Sequence, residues 1–209
     1  MRQRQRGAAL IVALLIVTLA ASTAAFAIWQ QSLWVRQLEN VTDRAKADQL
    51  AAGGIDLARN VLKDDKADTT RPPNVDSLNE PWASAIVLPA EDVTLSGQIV
   101  DAQGRFNINT ASAEVLAAVT GLSLNQAQII VKQRDSTPYR DLGAFNTAVK
   151  AASPNATCPN AACDVQSNYF LATIRVKSGR IEAGYTVLLD RSQTTTPWPS
   201  IKWRKEAAD

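Results

Sequence analysis

Histidine is absent from the whole chain, so the side chain that most often acts as a general base near neutral pH is missing. Serine and cysteine triads that depend on imidazole are excluded with it. Only two cysteines occur, Cys158 and Cys163, and without histidine they make a poor zinc site. An excess of one charge is lacking as well. The 22 Lys and Arg against 20 Asp and Glu leave a formal net charge of +2, too little to attract a nucleic acid whose binding rests on several cationic phosphate contacts. The acidic pairs Asp64-Asp65 and Glu91-Asp92 are available for acid-base or calcium roles. No loop, however, spaces the six to eight oxygens that calcium takes, and no cofactor is implied.

What the chain has begins at its first residues. Met1-Arg-Gln-Arg-Gln-Arg-Gly7 is a short basic head, and Ala8 to Ile28 then runs 21 residues without a charge, the next arriving at Arg36. Roughly 20 apolar residues suffice for a helix to cross a bilayer. Arg2, Arg4 and Arg6 hold the head in the cytoplasm, which places the remaining chain on the far side. Two processing readings compete. Ala25-Phe26-Ala27 is a candidate signal peptidase site, although the apolar stretch is long for a secretory signal and no Gly or Pro breaks it before Ala27. The sharper boundary is Gly7 against Ala8, where charge stops abruptly.

At these residues the chain resembles a type IV pilin-like precursor, matched by Arg4-Gln5-Arg6-Gly7 followed by Ala8 to Ile28. The resemblance implies a prepilin peptidase that cuts between Gly7 and Ala8 and leaves the apolar helix as anchor and assembly element. Most members carry Glu at the position matching Val12, a buried carboxylate that is costly in a bilayer unless a neighbouring subunit pairs it. Val12 cannot make that pair, which suits a subunit with nothing above it. The substitution resembles the K-type minor pseudopilin of type II secretion. Asn79-Glu-Pro-Trp82, then Gly97-Gln-Ile-Val-Asp-Ala-Gln-Gly-Arg-Phe-Asn-Ile-Asn109, then Ile181-Glu-Ala-Gly-Tyr-Thr-Val-Leu-Leu-Asp-Arg191 are similar to that family in the same order. The family implies I-type and J-type minor pseudopilins and other pseudopilins as partners, an inner-membrane anchor and a periplasmic head at a filament tip.

The cysteines, in Cys-Pro-Asn-Ala-Ala-Cys163, would lie in an oxidising compartment, where a disulfide is the natural outcome. The expected organisation is a leader over 1–7, a transmembrane helix over 8–34 and its amphipathic continuation over 35–63. A linker and first strand follow over 64–104, a helical insertion over 105–150, and the cysteine loop with C-terminal antiparallel strands over 151–209. Trp34, Leu38, Val41, Ala45, Ala52, Ile55, Ala58 and Leu62 recur at helical spacing as the apolar stripe. Gly53-Gly54 interrupts it, for close packing or a bend. Trp29 and Trp34 lie where amphipathic rings favour the headgroup region, or Trp34 begins the packing stripe.

Val93 to Val100 alternates as a strand, and Asp101-Ala-Gln-Gly104 reads as its turn. Asn109-Thr110 is the expected cap of a helix with Val115, Leu116 and Val119 buried, ended by Gly121; a second helix carries Ala127, Ile130 and Val131 and stops before Pro138. This pair resembles a helix-hairpin-helix unit, whose DNA-binding form points backbone N–H groups at a phosphate. Only Gly121 survives from the Gly-apolar-Gly turn, with Ser123 in the second Gly position. Lys132, Arg134 and Arg140 add positive charge that Asp135 and Asp141 offset. A membrane-anchored DNA-binding or DNA-uptake protein is therefore the alternative reading, with no nucleic acid expected on the first. A secreted enzyme has no catalytic constellation to support it. Phe170 to Val176 and Ile181 to Leu189 alternate as a hairpin, with Ile201 and Trp203 supplying a further strand. The fold class is α+β: a pilin-like long N-terminal helix packed on a small antiparallel sheet, with a helix-hairpin-helix-like insertion.

Overall fold

The computed structural model describes residues 2–72, 74–90, 93–104, 106–159, 162–179, 181–193 and 195–207, with side chains from Ala9 onward. Helix α1, Arg2–Ala67, is shared between two compact units, Met1–Lys46 and Ala47–Asp209. It runs four residues past the expected end at 63, because Asp64 to Ala67 contains no breaker and the first proline comes at Pro72.

In the first unit the helix presents its apolar side chains outward, including Leu10, Val12, Trp34, Leu38 and Val41. Trp34, Leu38 and Val41, expected in the stripe, are exposed within this unit. Thr18, Ser22, Thr23 and Ser32 return their hydroxyls to carbonyls of the preceding turn at 2.7 to 3.1 Å. Such back-bonding satisfies a hydroxyl without water.

In the second unit the buried face of α1 is Ala47, Ala51, Ile55, Ala58 and Leu62. Spacings of four and three make this one stripe. The expected members Ala45 and Ala52 are exposed instead, since each lies about one residue's rotation from that line. Five antiparallel strands receive the stripe in the order β1-β2-β3-β4-β5: β1 Ile86–Ala90, β2 Val93–Asp101, β3 Tyr169–Ser178, β4 Ile181–Asp190 and β5 Ser200–Glu206. Alternation sends Phe170, Ala172, Ile174 and Val176 of β3 and Ala183, Tyr185, Val187 and Leu189 of β4 toward the helix. Strand β1 and a short 3-10 turn at Pro81–Ala83, which seats Trp82, were not expected from the sequence. Gly179 takes φ 57° to turn β3 into β4.

A second core lies in the insertion between β2 and β3. It holds three helices where two were expected: α2 Ala113–Thr120, α3 Leu124–Ser136 and α4 Leu142–Ala152. The missed α4 is capped by Asp141, which accepts from the Ala144 N–H at 2.8 Å. Helix α2 is capped by Ser112 rather than by Asn109-Thr110. Gly121 ends α2 in the left-handed conformation at φ 78°. Ile108, Leu116, Leu122, Ile130, Phe145 and Val149 form the centre of this core. The insertion leaves and re-enters at adjacent points, for Asp101 pairs with Phe170 and the Ala102 N–H donates to Tyr169 O at 2.9 Å.

The two neighbouring glycines of α1 differ in surroundings. A Cβ on Gly54 would stand 2.7 Å from Ile174 Cγ2 and 3.0 Å from Leu95 Cδ1, whereas one on Gly53 would meet nothing within 4 Å. Gly54 is thus the close-approach point. Gly54→Ala is expected to destabilise by about 1–3 kcal/mol through overpacking, and Gly53→Ala to stabilise by up to about 1 kcal/mol through helix propensity. Urea unfolding of the two variants checks the opposite signs.

Candidate functional site

Gly7 and Ala8 lie inside α1 as backbone, and the Ala8 side chain is outside the described residues. Val12 is 56% exposed on the same helix. One helix, Ala9–Ala67, contains a stretch long and apolar enough to cross a membrane.

In the second unit, charge gathers where the end of α1, the sheet and the helical insertion meet. Arg191, the residue after β4, is buried and donates from Nη1 to Asp65 Oδ2 at 2.8 Å. Its Nη2 reaches both Asp76 Oδ1 and the Ser167 carbonyl. The guanidinium also lies 4.6 Å from the centre of the Phe170 ring. Asp76 then accepts the Ser167 N–H at 2.7 Å, and Ser167 Oγ donates to Asp101 Oδ2 at 2.6 Å. Thr110 Oγ1 donates to the same Asp101 oxygen. Asn107 completes the link: its Nδ2 donates to Asp76 O and Ser167 Oγ, and its Oδ1 accepts the Asn109 N–H. Asn109 in turn exchanges two hydrogen bonds of 2.9 Å with the Tyr139 backbone.

Glu80 sits beside this network. It accepts from Trp82 Nε1 at 2.6 Å and from Ser77 N and Oγ at 3.0 and 3.2 Å. Burial pushes its carboxyl up to about 7, and the Asp65 and Asp76 carboxylates push the same way against the Trp82 and Ser77 donors. Burial likewise raises Asp65 and Asp101 above the ordinary carboxylate range. Arg71 closes the outer side, with Nη2 3.1 Å from Asp65 and 2.8 Å from Asp68. A cleft of about 230 Å³ opens over Asp65, Asp68, Arg71, Asp76, Glu80 and Arg191.

Oxygens of Asp65, Asp76 and Glu80 come within 4.8 Å of one another, close enough to hold a single metal ion. Arg191 already bridges the two aspartates, so a dication there would compete with a buried guanidinium for three carboxylates. Of the acidic pairs picked out in the sequence, only Asp65 enters this cluster. Asp64 is exposed beside Lys63, and Glu91-Asp92 lie outside the described residues.

Three N–H groups of the hairpin turn are engaged internally: Gly121 donates to Ala117 O, Leu122 to Thr120 Oγ1 and Ser123 to Gln126 Oε1. Ser123 is the cap of α3, in a capping box with Gln126. Arg134, counted in the sequence as surface charge, is buried and donates to the Ile108 and Ala111 carbonyls. Cys158 and Cys163 are buried with Cα atoms 6.1 Å apart, a separation that a disulfide spans.

No period or motif in the sequence marks the network as a unit, although the three blocks similar to the K family supply Glu80 and Trp82, then Asp101, Asn107 and Asn109, then Arg191. The structure brings them together around one buried charge system. Asp76 and Ser167 stand in loops with no period to mark them.

Comparison with known proteins bears on the family resemblance. Residues 106–162 match the family model described as "Type II secretion system (T2SS), protein K". The type II secretion system protein K of Aeromonas hydrophila is 32% identical over 131 residues, covering 62% of this chain and 39% of that protein. The protein of the same name from Pseudomonas aeruginosa is 38% identical over 114 residues, 52% of this chain and 34% of the relative. The chain thus spans well under half the length of these curated relatives. A solved GspK-GspI-GspJ complex from the enterotoxigenic Escherichia coli type 2 secretion system aligns with TM-score 0.41 at 14% identity, over 90% of this chain and 99% of the matched one.

Two measurements test the network. Arg191→Ala leaves Asp65 and Asp76 without their shared cation and is expected to cost about 3–5 kcal/mol in urea unfolding. For Glu80, carboxyl-carbon NMR should give a midpoint near 7, against 4.5 for the unfolded group. Because this pKa is raised on folding, its contribution to stability is complete below about pH 4.5 and lost as pH rises through about 7. A midpoint near 4.5 in the folded chain would contradict the assigned burial cost.

Proposed function

We propose that this chain acts as the K-type minor pseudopilin of a type II secretion system, a structural rather than enzymatic role at the tip of a periplasmic filament. The observation that carries the reading is the K-family pattern at 106–162 in a chain whose first helix has a 21-residue uncharged core behind a basic head. In this reading the helix anchors the chain in the inner membrane, and the second unit lies in the periplasm. A prepilin peptidase cuts between Gly7 and Ala8. The freed helix then packs against I-type, J-type and other pseudopilins, and Val12, unable to pair with a neighbour's amino terminus, favours the terminal place.

Cys158 and Cys163 form a disulfide in that compartment, closing a loop that Asn146 holds by accepting the Cys158 N–H at 2.8 Å. The hairpin helices serve as packing elements, since their turn has no N–H group left for a phosphate among those named above. Calcium remains a proposal only for the cleft over Asp65, Asp76 and Glu80, and only with displacement of Arg191.

Intact mass of the membrane-extracted protein tests the reading. Loss of residues 1–7 is expected, with a further deficit of two hydrogens that reduction restores. Gly7→Leu should leave the full precursor and abolish secretion by the host system. Normal cutting of that variant, or loss of residues 1–27, would overturn the proposal.

A further inference from the structure

The sheet has a second face, opposite α1, and an apolar row crosses it. Register places Val100 of β2 against Leu171 of β3, Leu171 against Leu188 of β4, and Leu188 against Trp203 of β5. These four residues share the face opposite the buried set, because the residues beside them in each strand, such as Ile99, Phe170, Ala172, Val187 and Leu189, point into the core. Val100 is 50% and Trp203 38% exposed, with Leu171 and Leu188 half-buried between them.

The next rows on that face carry positive charge. Thr186 pairs with Lys205, Ser96 with Arg175, and Thr94 with Lys177. Lys205 Nζ stands 5.6 Å from the centre of the Trp203 ring. Among the described residues, Asp190 on this side accepts from Lys202 at 2.8 Å, and Glu182 stands opposite Lys177. Among the described residues no carboxylate pairs with Arg175 or Lys205. An aromatic anchor at the end of an apolar row, flanked by unpaired cations, is the composition of a recognition surface.

We infer that the row Val100, Leu171, Leu188 and Trp203, with Arg175 and Lys205 beside it, is a docking surface for an acidic protein segment carrying an apolar side chain. The apolar group lies on the row, and the segment's carboxylates meet Arg175 and Lys205. Positive charge selects the partner's sign, and the row supplies the buried area. This does not depend on the secretion reading, because it rests on the sheet alone.

The test uses the full chain in zwitterionic nanodiscs, with empty nanodiscs as background. Fluorescence anisotropy follows a labelled peptide of Glu, Asp and Ser around one central Phe, and a counterpart with Lys at every acidic position. Wild type is expected to bind the acidic peptide and not the basic one, with affinity falling as salt rises. Trp203→Ala should weaken binding about tenfold or more. Lys205→Glu and Arg175→Glu, surface changes that leave the core intact, should each weaken it about threefold to tenfold and flatten the salt dependence. Lys132→Glu, on the exposed side of α3, should leave it unchanged. No binding of the acidic peptide, equal binding of both peptides, or unaltered affinity in Lys205→Glu and Arg175→Glu would each overturn the inference. So would a gain on adding phosphatidylglycerol to the discs that Trp203→Ala and Lys205→Glu do not diminish.

Discussion

The second unit depends on one buried guanidinium. Arg191 follows the last residue of β4, yet it holds Asp65 of α1 and Asp76 of the connecting segment, and it reaches the carbonyl of Ser167 just before β3. An ion pair of this kind contributes little net stability, because desolvation offsets most of the Coulombic gain, but it tolerates no missing partner. It therefore specifies geometry. The end of the long helix, the edge of the insertion and the middle of the sheet are placed relative to one another by donors and acceptors that match in only one arrangement.

Apolar packing does the remaining work in two separate cores. One lies between α1 and the sheet, where Gly54 lets the helix approach Ile174 and Leu95 closely. The other lies inside the insertion, around Leu116, Ile130 and Phe145. Asp76, Asp101, Asn107 and Ser167 run between them. Hydrogen bonds from protein partners along such a seam rigidify the boundary, although the buried Arg191 Nε at its edge has no hydrogen-bond partner among the described residues.

Much of this was legible in the sequence, for reasons that differ by element. The strands at 93–100, 170–176 and 181–189 announced themselves by alternation, and Gly121 marked the end of α2 because its left-handed conformation suits glycine. The stripe on α1 was read with the right period but the wrong phase at Ala45 and Ala52, since alanines occur on both sides of it and only contact with the sheet chooses among them. Helix α4 falls almost wholly inside the helical insertion expected over 105–150, but only two helices are expected there, the second stopping before Pro138. Arg134 was misread as surface charge, for nothing in its neighbours shows that the Ile108 and Ala111 carbonyls await it. Of the candidate site, the residues quoted for family likeness proved to be the network's own members, while Asp76 and Ser167 left no local trace.

The doorway of the insertion has a consequence for size. Ala102 and Tyr169 are hydrogen-bonded neighbours, so everything between them is, for the sheet, one enlarged hairpin loop. Closing a loop becomes only about 0.6 kcal/mol harder for each doubling of its length. Segments can then be gained or shed there without shifting the pairing of β2 with β3, and the stretch matched at 106–162 falls wholly within those limits. A chain can in this way keep its sheet and vary only what hangs from it.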